Sequence, residues 1–263
     1  MSFRQRAALC VATLLVTVTV FAQQRANWRQ VGEAGDWAGT VAITAMNGEI
    51  WSIEADGSLY RNDRGGNYEQ VGSKGLFSNA TMLEALDGSL YTVEAGTLYA
   101  TNPAKGRWQQ IGEAGEWAGT VAIAAMNGLL YSIESDGSLY ATDKKGNYEQ
   151  IGPKGSFSDA SLLAAMDGRL WTVENGTLYA TNPMKGTWQQ VGDEGEWADT
   201  IGVASGNGFL WSIESDGTLY KTDKAGNHVQ VGRQGEYSGV EMLVSMNGNL
   251  YTVEEGTLYE TKP

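Results

Sequence analysis

The sequence is poor in cysteine, histidine, basic charge and long apolar runs, and each shortage narrows what the chain can be. One cysteine and one histidine occur in 263 residues. Cys10 lies in an N-terminal leader, so the remainder has no thiol, no disulfide and no thiolate metal site. His228 is the sole imidazole, too few for a histidine-based metal centre, and neither a Ser-His-Asp triad nor a dinucleotide-type glycine motif is read in the sequence. Lys and Arg number 18 against 31 Asp and Glu, a formal charge of −13. Such a surface repels phosphate backbones and anionic lipid, so nucleic acid and membrane surfaces are not expected partners. The one long apolar run, Ala7 to Phe21, is shorter than the ~20 residues that span a bilayer. Preceded by Arg4 and Arg6 and followed by Ala22-Gln23-Gln24, it has the layout of a cleaved secretory signal, residues 1–22. The expected mature chain starts near Gln23, is secreted or periplasmic, and has no membrane insertion.

What the chain has in abundance is a repeat. Trp28, Tyr68, Trp108, Tyr148, Trp188 and His228 stand 40 residues apart, each followed two residues later by Gln. His228 thus reads as an aromatic replacement. Periods of this size mark propellers and solenoids. Within a unit, Val41 to Met46, Ile50 to Glu54, Leu59-Tyr60 and Tyr68 to Val71 are short runs rich in β-branched and aromatic residues. Asn-Gly or Asp-Gly pairs recur at 47, 87, 127, 167, 207 and 247 and suit two-residue hairpin turns, which need positive φ. Each unit is therefore a four-stranded antiparallel meander.

The chain is expected to be all-β: a six-bladed β-propeller over residues 23–263, with repeats starting at 28, 68, 108, 148, 188 and 228. Past the leader it begins with a lone fourth strand at Trp28 to Val31 and ends after a third strand, Leu258-Tyr259, so the N-terminal strand closes the ring. Closure removes open sheet edges, and a monomer is expected. Small residues at 45, 85, 125, 165, 205 and 245 predict a narrow axis. Units alternate: odd ones carry the turn Glu54-Ala-Asp-Gly57, and even ones shorten it to Glu94-Ala-Gly96. The symmetry is thus an 80-residue pair repeated three times, and ligand sites built on it come in two kinds, three copies each.

Candidate binding residues fall on one face. The inter-blade loops carry Trp37, Phe77, Trp117, Phe157, Trp197 and Tyr237 within glycine-rich segments. These rings either stack on a sugar or wedge between blades as core. Glu54, Glu94, Glu134, Glu174, Glu214 and Glu254 end the second strand of every unit. They either accept hydrogen bonds from sugar hydroxyls or bond a neighbouring loop. Asp63, Asp143 and Asp223 have too few oxygen neighbours for calcium and read as turn residues. No cofactor, metal or enzymatic activity is expected, because near-identical units suit multivalent binding.

The segments Ile111-Gly-Glu-Ala-Gly-Glu-Trp117, Asn127-Gly-Leu-Leu-Tyr131 and Gly137-Ser-Leu-Tyr140 resemble blades of tachylectin-2-type and tectonin-type propeller lectins, across residues 28–263. That resemblance implies binding of N-acetylated amino sugars through the inter-blade loops, with Trp37, Trp117 and Trp197 as the main contacts and Phe77, Phe157 and Tyr237 as weaker ones. The expected partners are surface glycans. The alternative is an extracytoplasmic protein, bound by the same face of a non-enzymatic scaffold.

Overall fold

The computed structural model describes residues 28–263; the leader read at 1–22 lies outside the described residues. Among these, 24 strands form six antiparallel sheets of four. Blade I is β2 (Thr40–Met46), β3 (Glu49–Glu54), β4 (Leu59–Asn62) and β5 (Tyr68–Val71). Blades II to V repeat this order over 80–111, 120–151, 160–191 and 200–231. Blade VI combines β22 (Val240–Met246), β23 (Asn249–Glu254) and β24 (Thr257–Thr261) with β1 (Trp28–Val31). The ring is closed as the chain ends predict. Trp28 lies opposite Thr261 and Val31 opposite Leu258, the register that Trp188 and Val191 keep against Thr181 and Leu178 in blade IV.

The turn chemistry follows the sequence. Asn47 (φ 56°) and Gly48 (φ 81°) join β2 to β3, and the five equivalent pairs share this left-handed geometry. The odd turn after Glu54 is closed by Glu54 N–H donating to Ser58 O at 2.9 Å, with Asp56 Oδ1 accepting from Ser58 N–H at 3.0 Å. The even turn is the two-residue pair Ala95 (φ 47°) and Gly96 (φ 75°).

The core lies between blades. Because side chains alternate along a strand, Ile50 of β3 packs against Tyr251, Val253 and Leu258 of blade VI, while Trp51 and Ile53 meet Leu83 and Leu90 of blade II. A strand buried on both faces reads as an unbroken apolar run, as Ile50 to Ile53 nearly does. Each inter-blade loop drops its ring into this seam and ties its backbone to the preceding blade. Phe77 N–H donates to Gly57 O at 3.0 Å, and Trp37 N–H to Gly256 O at 2.9 Å. A Cβ on Gly57 would stand 2.5 Å from Ser78 N, so the close approach of turn and loop requires glycine there.

Six inner strands surround the axis. Ala45, Ala125, Ala165, Ser205 and Ser245 line a central cavity of about 200 Å³. Their small side chains keep the channel open while the strands crowd together.

Candidate functional site

Cross-strand pairing places a row of polar and aromatic groups on the face of each blade turned to its predecessor. In blade I, Ser52 lies opposite Tyr60 and Tyr60 opposite Gln70, while Ile50 lies opposite Asn62 and Asn62 opposite Tyr68. Glu54 shares the face of Ile50 and Ser52. The loop arriving from blade VI lays Asp36 and Trp37 over this row, and the gap between them is a cavity lined by Val31, Trp37, Ser52, Glu54, Tyr60 and Tyr68. Blade III has the same cavity beside Trp117, Glu134, Tyr140 and Tyr148. Blade V has it beside Trp197, Glu214, Tyr220 and His228. Volumes are about 170, 350 and 310 Å³ for blades I, III and V. At about 30 Å³ per water, the larger two hold roughly ten waters, the room of one sugar ring.

The carboxylate at the centre of each cavity is held by its own blade. Both oxygens of Glu54 accept from the Thr40 hydroxyl, at 3.0 and 3.1 Å, and Thr120 and Thr200 bind Glu134 and Glu214 in the same way. Burial pushes the pKa of these three glutamates up, against the lowering effect of those hydrogen bonds. Asp36, Glu116 and Glu196 cap their loops by accepting from the N–H groups of Glu33, Glu113 and Asp193. At the rim, Lys74 and Lys154 hold Asp56 and Asp136 well below the usual carboxylate range, at about 2.

Even blades build the same row, and in blades II and VI a stacked tryptophan covers it. The fourth-strand aromatic is Trp108 in place of Tyr68; its ring stacks on Tyr99 with centroids 4.4 Å apart and its side chain hydrogen-bonds Glu94. Trp28 stacks on Tyr259 at 4.5 Å, and Trp188 holds the same register in blade IV. The tyrosine pairs of odd blades meet edge-on instead, with centroids 5.7 Å apart for Tyr60–Tyr68 and Tyr140–Tyr148, which leaves the Glu54 and Glu134 side open. Even glutamates are also turned differently. Glu94 accepts from Thr92 at 2.5 Å, Glu254 from Thr252 at 2.6 Å and Glu174 from Thr172, because Ala80, Ala160 and Val240 stand where odd blades have threonine. The two kinds of site are thus an open one and a closed one.

All six loop rings are buried: Trp37, Trp117 and Trp197 are 4–8% exposed, and Phe77, Phe157 and Tyr237 are 2–5% exposed. They pack in the inter-blade core, and Trp37, Trp117 and Trp197 also line the open cavities. Phe77, Phe157 and Tyr237 line none of these three. The glutamate ring divides into Glu54, Glu134 and Glu214, which face the cavities, and Glu94, Glu174 and Glu254, which are tied to their own strand. Asp63 closes its turn by accepting from the N–H groups of Gly65 (2.7 Å) and Asn67 (2.9 Å).

Sequence reasoning overlooked Tyr60, Tyr68, Thr40 and their equivalents. The signal was there, in Thr40, Thr120 and Thr200 alternating with Ala80, Ala160 and Val240. It also overlooked Glu84, which faces the axial cavity where other blades place Thr44, Ala124, Ala164, Ala204 or Val244. Glu84 accepts from Ala125 N–H at 3.2 Å, and burial pushes its pKa up to about 7.

No family model and no curated protein matches the chain. Among solved structures it is similar to a streptogramin B lyase, with a TM-score of 0.64 at 14% identity, covering 91% of this chain and 99% of the other. It also resembles virginiamycin B lyase from Staphylococcus aureus, with a TM-score of 0.60 at 16% identity over 87% and 82% of the two chains. A third likeness is to PorZ, a surface component of the type-IX secretion system of Porphyromonas gingivalis. Its TM-score is 0.62 at 11% identity, over 88% of this chain and 37% of that one. At these identities the likeness establishes the propeller fold alone.

Proposed function

We propose that the protein is a multivalent carbohydrate-binding propeller that recognises extracytoplasmic glycans without chemical turnover, through the open cavities of blades I, III and V. The observation that carries this reading is the trio repeated in all three cavities: a tryptophan wall, a half-buried glutamate and an edge-on aromatic pair (Tyr60–Tyr68, Tyr140–Tyr148 or Tyr220–His228), with room for one ring in blades III and V. A sugar offers an apolar face to the aromatic wall and hydroxyl donors to the carboxylate, and such a site needs few polar groups to fix its orientation. The resemblance of residues 111–140 to tachylectin-2-type and tectonin-type blades supports N-acetylated amino sugars as the ligand class. Three weak sites on one rigid ring gain avidity on a clustered glycan, up to about 10²–10⁴-fold where the spacing fits.

The test is a glycan array followed by calorimetry on the best sugar. Two or three sites per chain are expected. The triple substitution E54Q/E134Q/E214Q should weaken binding at least tenfold, since a hydrogen bond to a charged acceptor contributes about 1.5–3 kcal/mol. A blank array, or a triple variant that binds as well as wild type, overturns the reading. One observation favours the alternative scaffold: Trp28, Trp108 and Trp188 are 41–55% exposed on the outer strands, and half-exposed rings of this kind are enriched at protein interfaces. A blank array joined to capture of a defined surface protein would support it.

A further inference from the structure

The three open cavities differ in charge. Gly39 and Gly119 stand beside the central glutamate in blades I and III, and a Cβ there would lie 3.4 and 3.3 Å from Glu54 and Glu134 oxygens. In blade V this residue is Asp199, which lines the cavity and adds a second carboxylate beside Glu214. The rim cation is also lost. Lys74 and Lys154 reach Asp56 and Asp136 at 2.8 Å, whereas their counterpart Gln234 holds Asp216 at 2.7 Å as a neutral donor. Arg233 does not replace them, since Asp216 is held by Thr218 and Gln234, and Arg233 arrives together with Glu236 where blade I has Ser73 and Leu76. Blades I and III thus have three carboxylates and one lysine at the site, net −2. Blade V has four carboxylates, Glu196, Asp199, Glu214 and Asp216, and no lysine, net −4. His228, with Nε2 at 3.4 Å from Glu196 Oε1, offsets one of these when protonated.

A second observation marks the same cavity. Ser212 lines it, is fully buried, and its hydroxyl has no hydrogen-bond partner. The equivalent Ser52 accepts from Asn62 at 3.4 Å, and Ser132 bonds Glu134. A buried hydroxyl without a partner is destabilising and is satisfied by a ligand that brings a donor or acceptor to it.

We infer that the blade V cavity, built from Asp199, Glu214, Ser212 and Trp197, selects an ammonium-bearing sugar, a hexosamine whose nitrogen is not acylated, while blades I and III take neutral rings. This rests on the sugar-binding reading above. Asp199 and Glu214 attract the ammonium, and the Ser212 hydroxyl pairs with a ring substituent. An organic cation is preferred to a metal, because among the described residues no three acidic, histidine or cysteine side chains are placed to share an ion.

The test titrates the protein, at low salt and pH 6.5, with glucosamine, N-acetylglucosamine and Nα-acetyl-lysine methylamide, following tryptophan indole signals by NMR. The wild type is compared with D199G/Q234K, which installs residue types already present in blades I and III and so is compatible with the fold. Glucosamine should saturate one site per chain and perturb Trp197. It should bind at least tenfold more weakly to D199G/Q234K and lose affinity with added salt. Glucosamine that binds no more tightly than N-acetylglucosamine at this site, or as tightly to the double variant, overturns the inference. If N-acetylglucosamine occupies blades I and III while glucosamine fails at blade V, the sugar-binding reading stands and this inference falls. If no sugar binds anywhere, both fall. Tighter binding of the lysine probe than of glucosamine would also overturn it, in favour of a protein side chain.

Discussion

One buried carboxylate helps to hold the closing strand, and its removal has a calculable cost. Glu260 lies on β24 where other blades have Arg61, Ala100, Ala141, Ala180 or Lys221, and it is 1% exposed. It accepts from the Tyr251 hydroxyl at 2.7 Å, from Asn249 Nδ2, from Arg29 Nε on β1 and from Arg64 Nη2 at 3.1 Å. In Glu260→Ala the two arginines, nearly half exposed, turn to water at little cost. Tyr251 and Asn249 are buried and lose their acceptor, at about 1–3 kcal/mol each. A loss of about 2–6 kcal/mol follows, read as a lower urea midpoint by tryptophan fluorescence, with trypsin cutting at Arg29 before the ring unfolds. The pH dependence is a second check. Burial alone would raise the Glu260 pKa, but hydrogen bonds from Tyr251, Arg29, Arg64 and Asn249 outweigh it and hold the group at about 2. An acid lowered on folding contributes fully above its unfolded value, about 4.3, and loses its contribution as pH falls through about 2. The stability gap between wild type and Glu260→Gln should therefore be widest near pH 7 and shrink towards pH 2. A loss under about 1 kcal/mol in Glu260→Ala, or a gap that does not change with pH, would mean that these contacts do not stabilise the closing strand.

Glu84 carries the opposite sign. Its folded pKa of about 7 lies above the unfolded one, so it destabilises the protein as pH rises from about 4.3 to 7 and stays costly above. Glu84→Ala, which copies Ala124 and Ala164, should be more stable than wild type at pH 8 by about 2–4 kcal/mol, at 1.36 kcal/mol per pKa unit, with no such gain at pH 4; equal stability at pH 8 would contradict this. Tyr68→Trp, Tyr148→Trp and His228→Trp copy the even blades, so each should remove one sugar site in calorimetry while leaving the melting temperature within a few degrees. Gly57→Ala forces a Cβ to within 2.5 Å of Ser78 N at φ +77°, and a destabilisation of about 1–3 kcal/mol should appear in denaturant unfolding; a neutral substitution would mean that the loop shifts freely.

The fold was legible because its determinants are local and repeated six times. Asn47-Gly48 and its copies fix the turns, and the lone strand at Trp28 fixes closure. The site was less legible. Trp37 and its equivalents are both inter-blade core and cavity wall, and no pattern in one loop separates those roles. What opens the cavity is the choice of Tyr68 over Trp108 on a different blade strand, together with Thr40 over Ala80. These two alternations act through orientation: edge-on against stacked rings, and a glutamate drawn towards one threonine or another. Asp199, Gln234 and Glu84 are single departures from the repeat. Their meaning depends on which groups face them across the seam or the axis, and the linear sequence does not display that.

On this reading the cavities of odd blades take a sugar, whereas Trp108 and Trp28 cover the corresponding rows of blades II and VI. A crystal structure of the protein saturated with an N-acetylated hexosamine tests it most directly. Sugar density beside Trp37 and Trp117, with none against Trp28, Trp108 or Trp188, is the predicted result. Equal density at all six inter-blade loops, or density confined to the axial channel beside Glu84, would contradict it.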